Sequence, residues 1–332
     1  MNPVTREAQQ VHDAALIIDL HCDLLLTQAF LRWNWGKHHR PNPLPRAALF
    51  GHCDIPRMRA GNVGCAALGI VTWPFAGPRA AHRMFDRLDT TLARHPDDLA
   101  LATTAQAIRS ARARDRIACF GGLEGVHCLN GRLEPLEALR DRGLRYVGLM
   151  HFSANAAGRP MVGWGGNPDS PLTDYGRAVV DECERLDLVV DVAHLNRAGV
   201  FEVCARANDP VICSHTSCNA VHQSPRGLDD DQLKAIADTG GVIGVIFVTA
   251  FIGAADIDAV VRHMTWIRDT VGIDHVALGT DWEGFSLYPR ALDGADKLPA
   301  LTQALLGAGW TAEQIHKAYG ENFLRVLAAV AG

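Results

Sequence analysis

Short apolar segments recur along the chain and predict an alternation of strands and helices. The first segment, residues 17–20, is rich in β-branched side chains, which is typical of a buried strand. Seven similar segments follow, and most are separated by stretches in which apolar residues recur at helical spacing. The predicted strands are residues 17–23, 63–71, 117–125, 144–151, 188–194, 210–215, 242–247 and 275–281.

This alternation predicts a parallel sheet, because parallel strands need long crossover connections. Eight strand–helix units favour a closed α/β barrel, the (β/α)8 TIM barrel, over an open doubly wound sheet. No GxGxxG segment follows the first strand and no GxxxxGK[ST] segment occurs, which weakens a nucleotide-binding alternative. No low-complexity tract or break in composition marks a second domain. We therefore expect a single barrel domain over residues 1–332.

Two long stretches without helical periodicity predict loops over the carboxyl ends of the strands. Residues 24–56 contain two tryptophans and several prolines, and residues 152–170 are rich in glycine and asparagine. Loops of this length are usually functional or disordered, and the tryptophans favour an ordered loop at the mouth of a site. We interpret His38, His39 and His52 of the first loop as surface residues.

Composition and charge restrict the location and partners of the protein. Apolar residues make up 48% and charged residues 21% of the 332 residues, which is ordinary for a globular protein. The net charge of −5 gives no indication of a nucleic-acid or anionic-membrane partner. The polar residues 1–7 precede no apolar signal segment, and no apolar run approaches the ~20 residues of a membrane span. We therefore expect a cytoplasmic protein. In that reducing compartment its nine cysteines would form no disulfide framework.

Candidate chemistry lies at the ends of six predicted strands. His21 and Asp23 are two residues apart, so their side chains leave the same face of a strand. In a barrel of this kind the carboxyl ends of all strands lie at one face, where catalysis takes place. Imidazole and carboxylate groups gathered there suit a divalent metal. The candidate residues are His21, Asp23, Glu124, His151, His194, His215 and Asp281.

Seven such groups exceed the needs of one zinc ion, which uses three protein ligands and water in a catalytic site. Two ions a few ångströms apart would use them economically. Glu124, isolated on its strand, is the natural bridge between the ions. His21 and Asp23 would then hold one ion, and His194 and His215 the other.

This assignment leaves His151 and Asp281 for the chemistry. A pair of ions would lower the pKa of a bridging water, so that hydroxide exists near neutral pH. Asp281 could take its proton and pass it to a leaving amine. His151 could stabilise the developing oxyanion. Asp19 shares the face of His21 but lies deeper, so we interpret it as support for the site and not as a ligand.

Seven segments together resemble the membrane dipeptidase (renal dipeptidase) family, peptidase family M19 of the metal-dependent amidohydrolases. The resemblance runs almost from end to end of the chain, in the order of the family's motifs. The segments are Asp19-Leu20-His21-Cys22-Asp23, Gly122-Leu123-Glu124-Gly125, Leu149-Met150-His151, Asp191-Val192-Ala193-His194, Ser214-His215-Thr216-Ser217, Gly279-Thr280-Asp281 and Gly320-Glu321-Asn322-Phe323-Leu324-Arg325-Val326.

The resemblance implies a zinc-dependent dipeptidase that cleaves small dipeptides with a free C-terminal carboxylate and tolerates a D-residue there. It implies a homodimer and two zinc ions, with Glu124 bridging and the ligand set given above. It also implies that His151 contacts the scissile group, that Asp281 shuttles the proton and that Arg226 grips the substrate carboxylate. A guanidinium suits that role because it binds a carboxylate through two hydrogen bonds. From the residues alone, Arg226 is interpreted as a solvated loop charge.

Departures from the family pattern leave the substrate open. Cys22-Asp23-Leu24-Leu25 stands where Asn-Asp-Leu-Pro is usual, Gly227 replaces a frequent Asn, and Trp282-Glu283 replaces Phe-Asp. None removes a ligand, but all border the expected pocket. One alternative is therefore an amidohydrolase of N-acyl amino acids, lactams or specialised-metabolite amides. The other is a catalytically inactive barrel that serves in binding.

Overall fold

The computed structural model describes residues 4–39 and 50–332 and shows a closed barrel of eight parallel strands. Each strand pairs with the next along the chain, and the eighth pairs with the first. This confirms the predicted (β/α)8 barrel. The strands are β1 (Ile17–Cys22), β2 (Val63–Val71), β3 (Ile117–Glu124), β4 (Leu144–Gly148), β5 (Val189–Asp191), β6 (Ile212–Cys218), β7 (Val242–Val245) and β8 (Val276–Leu278). Two unpredicted short strands, Leu99–Leu101 and Gly227–Leu228, pair with β3 and β6.

Helices connect and surround the strands, and several begin at side chains that cap them. Thr104, Thr173 and Asp229 each accept a hydrogen bond from a backbone N–H in the first turn of their helix. The α-helices are Arg6–Ala14, Leu24–Leu31, Ile55–Ala60, Pro78–Arg94, Ala105–Ala113, Pro135–Asp141, Asp174–Arg185, Arg197–Arg206, Asp230–Asp238, Thr249–Ile252, Ile257–Val271, Leu298–Gly307, Ala312–His316 and Asn322–Ala331. No helix within residues 4–39 and 50–332 has the length and apolar character needed to cross a bilayer.

The structure corrects the predicted loop over residues 24–56. Leu24–Leu31 is a helix, and the helix Ile55–Ala60 begins before the predicted loop ends. Leu24 and Leu25 are buried whereas Phe30 and Leu31 are partly exposed, so apolar side chains on both faces hide the helical periodicity. Residues 40–49 of that prediction lie outside the described residues.

His52 is also not a surface residue, although His38 is exposed. Only 2% of His52 is accessible, and its Nδ1 lies 2.6 Å from the carbonyl oxygen of Asp293. Its ring packs against Tyr288 at a centroid distance of 4.5 Å. The segment around His52 is therefore folded onto the protein.

The C-terminal helix packs against the barrel. Phe323 stacks on Phe120 of β3, with ring centroids 5.8 Å apart. The Asn322 side chain donates hydrogen bonds to two carbonyl oxygens beside β8, those of Ile273 (2.7 Å) and Val276 (2.8 Å). A side chain at Gly320 would meet the backbone of residue 16, which leaves room for glycine only. The Gly-Glu-Asn-Phe segment is therefore a packing element.

A buried histidine that is not among the predicted site residues makes stability depend on pH. His263 is fully buried; its Nδ1 accepts the backbone N–H of Cys218 (3.0 Å), and burial lowers its pKa to about 4. Between pH 6.5 and 4 the unfolded chain therefore binds a proton that the folded chain does not, and stability falls as the pH falls.

We expect the free energy of unfolding of the wild type to drop by about 1 kcal/mol more than that of His263→Gln between pH 7.5 and 5.5. Urea unfolding of both proteins at the two pH values measures the difference. Equal drops would show that His263 is protonated normally in the folded chain.

Candidate active site

The structure brings all seven predicted site residues together at the carboxyl end of the barrel. His21 and Glu124 lie in β1 and β3, and His215 lies in β6. The others follow their strands by one to three residues, because several strands are shorter than predicted. These later residues are Asp23, His151, His194 and Asp281.

Glu124 lies at the centre of the histidines. Its Oε1 is 2.9 Å from Nε2 of His194, 3.5 Å from Nε2 of His215 and 3.7 Å from Nε2 of His21. Its Oε2 is 3.6 Å from Nε2 of His151. One carboxylate thus faces four imidazoles, which is the position that a bridging ligand needs.

Two further carboxylates lie near the same nitrogen of His21 that faces Glu124. Its Nε2 is 3.5 Å from Oδ1 of Asp23 and 4.0 Å from Oδ1 of Asp281. Asp281 has a left-handed backbone (φ 60°), as does His194 (φ 64°). Such conformations are costly for residues other than glycine and cluster at functional sites. Here the backbone N–H of Asp281 donates to the carbonyl oxygen of His21 at 3.0 Å.

The residues present fit a divalent metal site. His21 Nε2 and Asp23 Oδ1 are buried without a hydrogen-bond partner among the described residues, which would be costly unless a cation fills the space. The donor atoms form three overlapping sets, each within 4.8 Å. The sets are His21 with Glu124 and His215, Glu124 with His151 and His194, and His21 with Asp23 and Asp281.

Hydrogen bonds orient two of the imidazoles with Nε2 toward the cluster. The hydroxyl of Tyr146 donates to the carbonyl oxygen of Leu20 (3.0 Å), so it accepts from Nδ1 of His21 at 2.9 Å. Ser214 donates to Asp191 (2.6 Å) and in the same way accepts from Nδ1 of His215 at 2.9 Å. The proton assigned to each Nδ1 leaves Nε2 with a free electron pair, the form that binds metal.

Two deeper carboxylates hold the backbone of the site. Asp191 accepts hydrogen bonds from the backbone N–H groups of Ala193 and Ser214, both at 2.9 Å. Asp19 accepts the N–H of His21 at 3.2 Å and both the N–H (2.9 Å) and hydroxyl (2.6 Å) of Thr280. Asp19 therefore supports the segments of His21 and Asp281 without reaching the cluster.

Burial and crowding disturb the titration of the central groups. Burial raises the pKa values of Glu124 and Asp281, and the charge of Asp23 adds to both shifts. Burial alone would lower the pKa of His21. The charges of Glu124 and Asp23 have the larger combined effect, so this pKa is raised. Burial lowers the pKa of His151 to about 4, so this imidazole is neutral near pH 7. Three crowded carboxylates favour a bound cation.

Arg226 is buried beside this cluster, so its interpretation as a solvated loop charge is wrong. Only 1% of it is exposed, and its Nη2 donates to the carbonyl oxygen of His215 at 3.2 Å. Residues 224–228 fold back because Gly227–Leu228 pairs with β6 and Thr216 donates to the carbonyl oxygen of Arg226 (2.7 Å). Across the described part of the chain, no carboxylate forms an ion pair with this guanidinium.

Two departures from the family pattern have a structural reason. A Cβ at position 227 would lie 2.1 Å from Oδ1 of Asn219, whose amide donates to the carbonyl oxygen of Gly227. Glu283 is fully buried and accepts backbone hydrogen bonds from Gly51 (3.1 Å), His52 (2.7 Å) and Cys53 (2.8 Å). Glu283 therefore anchors the end of the first long loop, a role that its sequence context did not reveal.

An apolar pocket of about 780 Å³ opens beside His151. Its wall comes from segments that follow β1, β2, β4 and β8, and most of these residues lie outside regular strands. Because these segments are far apart in the sequence, no single pattern along the chain marks the pocket as a whole. The lining residues are Leu26, Ala29, Phe30, Val71, Thr72, Trp73, Pro74, Ala76, Ala80, Arg83, Met84, Arg87, His151, Phe152, Ser153 and Phe285.

Comparison with known proteins agrees with this geometry. The family model described as membrane dipeptidase (Peptidase family M19) matches residues 5–332. The chain belongs to the membrane dipeptidase family. Its members are metallopeptidases, so a divalent metal and dipeptide hydrolysis are supported at the level of the family.

Solved structures with the same fold include other members of the membrane dipeptidase family. A dipeptidase of family M19 is 28% identical, with a TM-score of 0.83 over 95% of this chain and 98% of its own. A metallopeptidase from Rhodobacter sphaeroides, solved with a phosphinate mimic of the dipeptide L-Ala-D-Ala, is 26% identical, with a TM-score of 0.83 over 95% and 99%. A probable dipeptidase from Pseudomonas aeruginosa (TM-score 0.87, 98% of each chain) is 18% identical and shows the fold alone.

Proposed function

We propose that the protein is a zinc-dependent dipeptidase that hydrolyses small dipeptides with a free C-terminal carboxylate, including those ending in a D-residue. The observation that carries this proposal is the cluster around Glu124, together with the buried guanidinium of Arg226, which forms no ion pair with a carboxylate among the described residues. Carboxylate and imidazole donors would hold the ions, and the guanidinium would hold the end of the substrate.

In this proposal two zinc ions share Glu124. His21 and Asp23 would complete one site, and His194 and His215 the other. Nε2 of His21 and Oδ1 of Asp23, which are buried without a hydrogen-bond partner among the described residues, support the first site. The short distance of 3.0 Å between Nε2 of His194 and Nε2 of His215 supports the second. When bound, such ions polarise the scissile carbonyl and make water a stronger acid.

The remaining side chains would bind the substrate and move protons. Arg226 would pair with the free carboxylate and so place the scissile bond over the cluster. Asp281, whose pKa is raised by burial, would take a proton from the attacking water and give it to the leaving amine. His151, neutral near pH 7, would donate a hydrogen bond to the oxyanion that forms from the carbonyl.

The substrate class rests partly on the relative from Rhodobacter sphaeroides, whose structure holds a phosphinate mimic of L-Ala-D-Ala. The C-terminal residue of that dipeptide is a D-residue, and it carries the free carboxylate. The apolar pocket beside His151 supports a second candidate function, hydrolysis of N-acyl amino acids, because none of the described residues that line it offers a carboxylate to a free ammonium group.

A substrate panel separates these functions. We expect the zinc-loaded protein to cleave L-Ala-L-Ala and L-Ala-D-Ala, and to cleave L-Ala-D-Ala amide with a kcat/KM at least about 100-fold lower, since the amide lacks the charge that Arg226 binds. Faster cleavage of N-acetyl-L-Ala than of either dipeptide would favour the acyl amino acid function. No cleavage of any compound by metal-loaded protein would favour an inactive barrel.

A further inference from the structure

We infer that the pocket beside His151 binds a bulky apolar group on the amino-terminal side of the scissile bond. The enzyme would then prefer dipeptides with an aromatic or long aliphatic first residue over alanyl dipeptides. This inference rests on the proposed function, because it takes the carboxylate end of the substrate to be held at Arg226.

The pocket is too large and too apolar for an alanyl methyl group. Its volume of about 780 Å³ lies within the range of sites that enclose drug-sized ligands. Among the described residues that line it, only Arg83 and Arg87 carry a permanent charge, and both come from one helix, Pro78–Arg94. Most of the surface that a ligand would meet is aromatic or aliphatic.

Partly exposed aromatic rings form one wall of the pocket. Trp73 is 70% exposed and Phe30 is 51% exposed, and their ring centroids are 6.0 Å apart in an edge-to-face arrangement. Phe30 meets Phe285 in the same way at 6.1 Å. Single exposed apolar residues are common on protein surfaces, but a contiguous group that lines a concave site is typical of ligand binding. These rings would be covered by the substrate.

The place of the pocket in the barrel shows which half of the substrate it would receive. It is built from segments after β1, β2, β4 and β8, whereas Arg226 follows β6. In a closed barrel of eight consecutive strands, β2 and β6 are on opposite sides, and the cluster around Glu124 lies between them. A dipeptide with its carboxylate on Arg226 therefore directs its first residue toward the pocket.

The pocket is also continuous with the candidate catalytic groups. His151 lines it and lies 3.6 Å from Glu124, measured from Nε2 to Oε2. Phe152, another lining residue, packs against His194 with ring centroids 4.7 Å apart. A substrate group in the pocket would therefore be only a few bonds away from the scissile carbonyl carbon. The side chain of the first residue of a dipeptide has this position.

We expect kcat/KM for L-Phe-L-Ala to exceed that for L-Ala-L-Ala by at least about tenfold, because burial of a phenyl ring contributes ~2 kcal/mol. Trp73→Ala should lower kcat/KM for L-Phe-L-Ala about tenfold and change that for L-Ala-L-Ala less than about twofold. Phe75→Ala is the matched control, because Phe75 is in the same loop, is 85% exposed and does not line the pocket.

Equal rates for the two dipeptides, or equal losses in Trp73→Ala and Phe75→Ala, would overturn the inference while leaving the dipeptidase function intact. A change in elution volume of Trp73→Ala on size exclusion, without a change in selectivity, would assign the rings to contact with a second copy of the chain instead.

If neither dipeptide is cleaved, the proposed function fails, and calorimetric binding of 2-naphthylacetyl-glycine then tests whether the pocket binds an apolar group. Weaker binding to Trp73→Ala than to Phe75→Ala supports an apolar site, and equal binding overturns it.

Discussion

Replacing Glu124 with Gln is expected to lower kcat/KM for dipeptides by at least about 10³-fold and to remove bound metal from the purified protein. The reason is that a neutral amide cannot serve as the anionic ligand shared by two ions. In the structure this carboxylate lies within 4 Å of the Nε2 atoms of four histidines. Elemental analysis and dipeptide kinetics on the same preparation measure both effects.

The stability of the metal-free protein separates this role from a structural one. Burial and the charge of Asp23 raise the pKa of Glu124, so its carboxylate destabilises the metal-free fold near pH 7. Metal-free Glu124→Gln should therefore melt at the same temperature as metal-free wild type or at a higher one. The matched control is Glu134→Gln, whose side chain is 80% exposed. Full metal content and normal kinetics in Glu124→Gln would contradict the bridging role.

Replacing Arg226 with Met is expected to raise KM for L-Ala-D-Ala about 100-fold, because charge-assisted hydrogen bonds to a carboxylate contribute ~3 kcal/mol. Met is chosen because it keeps much of the volume of the buried side chain, which packs beside Met161. The amide of the same dipeptide should be almost insensitive to the change, since it presents no carboxylate. The measurement is the ratio of kcat/KM for the acid and the amide, which should fall toward one in the variant.

Arg159→Met is the control for Arg226, since Arg159 is an exposed arginine in the loop between β4 and the helix Asp174–Arg185. It should leave the acid-to-amide ratio unchanged. Thermal melting shows whether Arg226→Met is folded. A folded Arg226→Met protein with the wild-type ratio would mean that the substrate carboxylate binds elsewhere.

The fold and the gathering of the candidate site were both accessible from the sequence. Each barrel strand is a short apolar run, and most helices between strands have their own periodicity, so the order of elements follows largely from local pattern. His21 and Asp23 could be assigned to one face because strand side chains alternate. Parallel strands then place Glu124, His194 and His215 at the same end without any knowledge of side-chain packing.

Features that depend on tertiary packing could not be found in the same way. The helix Leu24–Leu31 has apolar residues on both faces, because one face packs on the barrel and the other faces the pocket. The burial of Arg226 depends on the return of residues 224–228 to β6, and Glu283 acquires its role only from the folded position of residues 51–53. Such contacts are far apart in sequence and leave no periodic signal.

A metal titration of the metal-free protein tests the central claim most directly. Zinc is added in increments, and L-Ala-D-Ala hydrolysis is followed together with bound metal by elemental analysis after gel filtration. The proposed binuclear site predicts no activity without metal and a rise that ends at two equivalents per chain. Activity in the metal-free protein, or a maximum reached at one equivalent with no second ion bound, would contradict it.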